Sequence, residues 1–410
     1  MFKKAKSIVK SFGPGIFILG ANIGTGSVTT MSTAGAYHGM SLYWAVLLSC
    51  LFTWVMITVI GRLACSSGET IINSINRRIG LWAGVIIAVG IAVTQFFSTM
   101  GVVGVVSEAT GILFDVNKLW PAIIWGAFIF LAIFFGSYGK FESLLGGMVT
   151  IFGLSFLITL LLVLVKPDFS IANLASSIPT GEFSGWITAG CVGTTFSSGI
   201  LVMRSYVVKD KGWRKKDLKK EVTDAGISVI FMALLSGAVM ACASATLFGS
   251  EHIAGISPTE FTSLEMAKDL LPLAGTYAFV LFTIGIIAAG LSSALPNTLV
   301  SIWCLSDLFK LERDPKKVHF RALGALWAFS GVLGVLTGKP VPITVMAQAM
   351  ILIITPFISA FATYLAWKDG LLGKKGSANE RIMLGLCITS ILFAICISTI
   401  SFINQIQFAL

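Results

Sequence analysis

Charged side chains are scarce in this sequence: Asp, Glu, Lys and Arg make up 12% of its 410 residues. A water-soluble domain carries about a quarter, so a chain this poor in charge cannot cover a surface that faces water. Histidine is rarer still. His38, His252 and His319 are the whole complement, all three fall in expected loops, and none stands at helical spacing from another ligand type. No metal site is read from them. The cysteines Cys50, Cys65, Cys191, Cys242, Cys304, Cys387 and Cys396 contain no C-x-x-C pair and lie in apolar runs or at their ends. That argues against a disulfide framework and a structural zinc and leaves them as small apolar fillers. No nucleophile–base pair gathers near either end of the apolar runs. The chain is therefore not read as an enzyme, no catalytic residue is assigned, and no cofactor is expected.

What is abundant is apolar: 56% of residues are hydrophobic and mean hydropathy is +0.90. Runs long enough to cross the ~30 Å hydrocarbon core recur along the whole chain. The fold class is an all-α polytopic membrane protein with its surface in the lipid bilayer. Eleven spans are expected, at 13–36, 41–66, 80–113, 119–137, 142–166, 184–208, 222–249, 267–301, 319–338, 341–366 and 382–406. The start "MFKKAKSIVK" has the charge of a signal peptide, but no short apolar core with a small-residue cleavage site follows, so the first span is retained.

The formal net charge is +10, yet its placement excludes nucleic acid as a partner. The basic residues are spread over short loops, and all except Lys118, Lys166, Lys268 and Lys339 fall on one side of the eleven-span topology. The positive-inside rule makes that side cytoplasmic and puts the N-terminus there, in a bacterial cytoplasmic membrane. The densest cluster, "KDKGWRKKDLKKE" from Lys209 to Glu221, reads as a topology anchor or as a site for anionic lipid headgroups. Asp224, just beyond it, reads as an ion-pair partner.

Two spans carry poor helix formers at mid-length. Span 1 contains "GANIGTGSVTTM", Gly20 to Met31, and span 6 contains "GCVGTTFSSG", Gly190 to Gly199. Irregular backbone at membrane depth is tolerated only where it is buried or lines a cavity. Interrupted segments at matching places of two halves point to an inverted-repeat transporter with its substrate between them. An unwound segment frees carbonyls for cations and N–H groups for anions. The alternative for one such run alone is close helix packing by small residues. Asn22 reads as a cap of the break or a substrate contact.

The chain resembles the Nramp family of divalent-metal transporters over nearly its whole length. The resemblance is carried by "GPG" at Gly13–Gly15, "AGAYHGMSLYW" at 34–44, "GRLACSSGE" at 61–69, "AAGLSSALPNTL" at 288–299 and "AQAMILIITPF" at 347–357. It implies a LeuT-like inverted repeat (5+5) with one extra helix. One transporter domain fills 1–410, as repeat one 13–166, repeat two 184–366 and an extra helix 382–406. The family's span 1 motif D-P-G-N falls on Gly24, Thr25, Gly26 and Ser27, and its span 6 motif M-P-H on Ser197, Ser198 and Gly199. The metal-ligating aspartate, the thioether and the histidine are thus absent. Gln348 on span 10 remains, and Glu108 on span 3 matches a glutamate of the family's proton route, while its aspartate partner is Val105.

The expected substrate site is Gly24, Thr25, Gly26, Ser27, Thr194, Thr195, Ser197, Ser198 and Gln348, with Glu108 for coupling and no metal ligand assigned. Glu108 reads as a coupling group, because ionisable groups in spans are costly, or as a residue near the outer interface. A site of hydroxyls, an amide and carbonyls suits a bare transition metal poorly and excludes a more hydrated ion such as Mg²⁺ less. "NIGTGS" is also similar to the unwound span 1 of amino-acid transporters of this fold. The expectation is a monomeric secondary transporter moving a divalent cation by alternating access. A carrier of an amino acid or other small carboxylate, and a transport-inactive sensor, are the alternatives.

Overall fold

The computed structural model describes residues 24–135, 185–268, 278–373 and 378–409, with scattered single positions between them. Every regular element among these is helical. In chain order they are α1 (Thr25–His38), α2 (Tyr43–Ser67), α3 (Ile71–Arg78), α4 (Leu81–Phe114), α5 (Leu119–Phe135), α6 (Gly185–Thr195) and α7 (Ser198–Asp210). There follow α8 (Leu218–Thr246), α9 (Glu251–Ala254), α10 (Ser263–Ala267), α11 (Ala278–Phe309), α12 (Val318–Ala328), α13 (Ser330–Leu336), α14 (Pro340–Ile351), α15 (Thr355–Lys368) and α16 (Ala378–Ala409).

Eight helices or successive helix pairs among the described residues are long and apolar enough to cross a membrane, and α5 is a shorter apolar helix. They match expected spans 2 to 4 and 6 to 11. The expected span 5 and the first half of span 1 lie outside the described residues. Side chains such as Leu81, Trp82, Ile124, Ile230, Leu392 and Phe402 are exposed, which in a chain of this composition is a lipid-facing surface.

Three details differ from the sequence reading. Span 8, expected over 267–301, is helical from Ala278 to Phe309, and residues 263–267 form the separate short helix α10. The 2–3 connection holds a helix of its own, α3, capped by the Thr70 hydroxyl accepting from the Asn73 N–H at 3.4 Å. Its Ile71, Ile72 and Ile75 are buried while Arg77 and Arg78 close its last turn, so it lies along the bundle rather than through it. The histidines are not in loops: His38 ends α1, His252 sits in α9 and His319 in α12.

Long helices stop where glycine allows a reversal. Gly68 ends α2 in the left-handed region at φ 71° and returns its N–H to the Ala64 carbonyl. The 34-residue α4 is about 51 Å long at 1.5 Å per residue. It packs along α11, α14 and α13, whereas α1 packs against α8 and α6. The two groups meet around the interrupted helices.

One ion network holds the basic end together. Arg204 is fully buried on α7, inside the span and not in the basic loop beside it. Its guanidinium donates to the Glu221 carboxylate at 2.8 and 3.1 Å, to the Glu221 carbonyl at 2.8 Å and to Asp224 at 2.6 Å. Asp224 is thus an ion-pair partner, as expected, and its cation is intramembrane. Removing one partner from a buried network strands the others, at a cost of about 3–5 kcal/mol. Arg204→Leu should therefore lower the melting temperature in detergent sharply. Adding Glu221→Gln and Asp224→Asn should recover most of the loss, and an unchanged melting temperature for Arg204→Leu would show that the network adds no stability.

Candidate functional site

In span 1 the described residues begin at Gly24, and helix follows at once. Gly24 is extended, at φ −105° and ψ −173°, and Thr25, Gly26 and Ser27 already form the first turn of α1. The first helical bond runs from Val28 N–H to Gly24 carbonyl at 3.1 Å. No side chain caps this end, so the first N–H groups of α1 have no partner within the helix.

In span 6, α6 ends at Thr195, Phe196 and Ser197 are non-helical, and α7 starts at Ser198. The carbonyls this frees are spoken for. Thr53 on α2 donates its hydroxyl to the Thr195 carbonyl at 2.7 Å, and Thr355 donates to Phe196 or Ile351 carbonyls, both at 3.2 Å. Ser49 and Thr195 share a hydrogen bond between hydroxyls. Neighbouring hydroxyls thus cap carbonyls expected to be free for a cation.

A third interruption, which the sequence reading passed over, divides span 10 between Ile351 and Thr355. Its signal was Pro356, which has no N–H to continue the helix ladder and disfavours helix before it. The Ser198 hydroxyl donates across to the Ile351 carbonyl at 3.3 Å, tying the second break to the third.

One cavity lies between the three breaks. It offers about 20 Å³ to the centre of a water-sized sphere, room for one water or one bare ion. Of the expected residues, Gly24, Gly26, Ser27, Thr194, Ser197 and Gln348 line it. Thr25, Thr195 and Ser198 do not: the Thr25 hydroxyl donates to the Ile286 carbonyl at 3.0 Å, and the other two brace the span 6 break. Glu108 is also elsewhere. Its carboxylate accepts from the Ser263 N–H at 3.1 Å and the Ser263 hydroxyl at 2.9 Å, joining α4 to the start of α10.

The lining includes four polar residues that the sequence reading missed: Gln95 and Ser98 on α4, Ser293 and Asn297 on α11. Gln95, Ser98 and Val102 stand at i, i+3 and i+7, one helix face, so a polar stripe in an apolar span was readable. The site has three amides where one was expected. Gln95, Ser98 and Gln348 are 2%, 1% and 5% exposed, so this wall of the cavity is deeply buried, whereas Asn297 is half-buried. Among the described residues no three His, Cys, Asp or Glu side chains gather as a metal site would require.

The helix ends around the cavity balance. α1 and α7 begin there, presenting positive ends, while α6 and α14 finish there, presenting negative ends. The second residue of α1 is Gly26 and that of α7 is Gly199, and each lets an amide lie over its backbone. A Cβ on Gly26 would meet Gln348 Nε2 at 2.5 Å, and one on Gly199 would press into Gln95 Nε2. Away from the cavity, His252, Glu265 and Lys268 form a cluster in the connection before α11. Burial pushes the Glu265 carboxyl up, but hydrogen bonds from Lys268 and His252 outweigh it and leave it below the usual range.

Gly24 is held against α11: a Cβ there would run into the Ser293 side chain and reach the Ala289 carbonyl at 3.0 Å. An aspartate at this position therefore overpacks the site. Gly24→Asp should destabilise the protein by about 1–3 kcal/mol, and Ser293→Gly in the same chain should relieve it. Equal melting temperatures for the single and double variants would contradict this packing.

The sequence matches the family model Nramp, described as natural resistance-associated macrophage protein-like, over residues 15–404. The divalent metal cation transporter MntH of Yersinia pestis is 26% identical over 305 residues, 70% of each chain. That of Deinococcus radiodurans is 24% identical over 309 residues, 72% of this chain and 68% of the other. Among solved structures, a histidine-to-alanine mutant of the Eremococcus coleocola manganese transporter superposes with TM-score 0.70 at 15% identity, covering 98% of this chain and 96% of the other. Mhp1, a nucleobase-cation-symport-1 family transporter in a closed conformation with bromovinylhydantoin bound, gives 0.63 at 12% identity, covering 94% and 91%. The fold is the LeuT-like one that the family resemblance implied.

Proposed function

The chain belongs to the Nramp family, and from that premise we propose that it carries a divalent cation across the membrane by alternating access, with a site built of uncharged oxygens. The observation that supports this most directly is the cavity itself: small, about 20 Å³, and bordered by three amides, several hydroxyls and no charged group. An amino acid has several times the volume of a water molecule, more than this space offers. The positive helix ends that would favour a carboxylate are offset by two negative ends. The relatives named for divalent metal cation transport agree with a metal cargo.

Hard cations accept neutral oxygen ligands, and soft ones are held by thiolate, thioether or imidazole. One thioether, that of Met203, borders this cavity, and no thiolate, imidazole or carboxylate does; amides and hydroxyls outnumber that single soft neighbour, so Mg²⁺ is the cargo to test first and Mn²⁺ the comparison. The residues we assign to the pathway are Gly24, Gly26, Ser27, Thr194, Ser197 and Gln348 at the cavity, with Thr25, Thr195 and Ser198 bracing its breaks. We place the N-terminus in the cytoplasm of a bacterial cell from the distribution of basic loops and take one chain as the working unit. Within repeats 13–166 and 184–366, followed by the helix at 382–406, spans 1, 2, 6 and 7 would rock or gate against the rest.

A cavity without a carboxylate has nothing in it to exchange a proton. Coupling is therefore weak or absent, and any that exists falls to Glu108. In proteoliposomes with an imposed potential, Mg²⁺ should enter with little acidification, and calorimetry should show no micromolar Mn²⁺ binding. Failure to move any divalent cation would overturn the proposed function. Robust proton uptake that survives Glu108→Gln would overturn the coupling.

A further inference from the structure

The polarity of the cavity depends on which end of each amide faces it. A primary amide has a donor end and an acceptor end of almost the same shape. Turned one way, Asn297 and Gln348 present oxygens and the cavity takes a cation. Turned the other way, they present N–H groups and it takes an anion or a carboxylate. Something must hold the choice.

Ser98 is placed to hold it. Its hydroxyl oxygen accepts from Gln348 Nε2 at 3.0 Å and from Asn297 Nδ2 at 3.1 Å. Two amides from two helices, α14 and α11, thus spend a nitrogen on one oxygen of a third helix, α4. Gln95, one turn earlier on the same face, has a buried Oε1 with no hydrogen-bond partner. An unpaired buried acceptor carries a desolvation penalty, which a bound cation would remove. Gly26 and Gly199 leave the Gln348 and Gln95 amides room to lie flat over the two helix starts.

We propose that Ser98 is the positioning residue that sets the site's preference for cations: it anchors the nitrogens of Asn297 and Gln348, so that their oxygens and that of Gln95 serve as a charge-free ligand set. This rests on the cation reading above and deepens it, since it names the group that makes the neutral site a cation site. Ser98 is not itself a ligand here, because both amide nitrogens occupy its oxygen.

A carboxylate presents oxygen whichever way it turns, and this gives a test that separates orientation from mere packing. Mg²⁺ is titrated by calorimetry into purified full-length protein, with melting temperatures recorded alongside. Ser98→Ala should weaken Mg²⁺ binding about tenfold. In a chain already carrying Asn297→Asp and Gln348→Glu, binding should be tighter than native, and adding Ser98→Ala should change it less than about twofold, because nothing is left to orient. An equal loss in both backgrounds would show Ser98 acting through packing alone and overturn the proposal. Native Mg²⁺ binding that Ser98→Ala leaves intact would overturn it too, while the transport reading stands. Absence of Mg²⁺ binding in the native chain would sink the cation reading itself.

Discussion

Inside a bilayer no water is available to satisfy a stray backbone group, and each one left unpaired costs several kcal/mol. Helices stop or start around the cavity in spans 1, 6 and 10 nonetheless, and the surrounding structure is arranged to meet that cost. Thr53, Thr355 and Ser198 give their hydroxyl protons to carbonyls released at the breaks in spans 6 and 10. These bonds run between helices far apart in sequence, so the breaks are also where α2, α6, α7, α14 and α15 are fastened to one another. What remains unfastened is the inward side of each break. The site gathers there, and in it the buried Gln95 Oε1 is left with no protein partner.

That account changes how the missing charges are understood. Gly24, where the sequence resemblance puts the family's aspartate, is pressed against Ser293 and the Ala289 carbonyl. The substitution is therefore part of a packed contact between α1 and α11, and restoring the carboxylate alone does not restore a site. The polar contribution has moved to α4 and α11, where Gln95, Ser98 and Asn297 supply amide and hydroxyl groups in place of ionised ones. A site of this kind attracts a cation through dipoles, and every dipole must point the right way.

The sequence made the large features readable because they are repeated many times over. Apolar runs set the spans, and the scatter of Lys and Arg set the order of loops. Glycine and hydroxyl residues marked the break in span 6 closely, with Phe196 and Ser197 alone departing from helix. In span 1, Thr25, Gly26 and Ser27 were expected in the break but are helical, because poor helix formers are tolerated in a first turn, where the N–H groups need no helical partner. The span 10 break was missed although Pro356 announced it. Gln95 and Asn297 escaped because a single amide in a span looks like any packed polar residue until its neighbours are known. Arg204 escaped for another reason: it lies five residues before Lys209 and was counted with the basic loop.

The burial of Arg204 reaches back to the birth of the chain. An arginine costs most at the centre of a span and less toward its end, and Arg204 stands six residues before Asp210, where this span ends. Its counter-charges, Glu221 and Asp224, lie 17 and 20 residues further along. While α7 is being synthesised they do not yet exist. The segment is apolar enough to cross by itself, but its guanidinium finds partners only when the start of α8 arrives. The buried network of this part of the protein therefore closes only after the ribosome has passed Asp224.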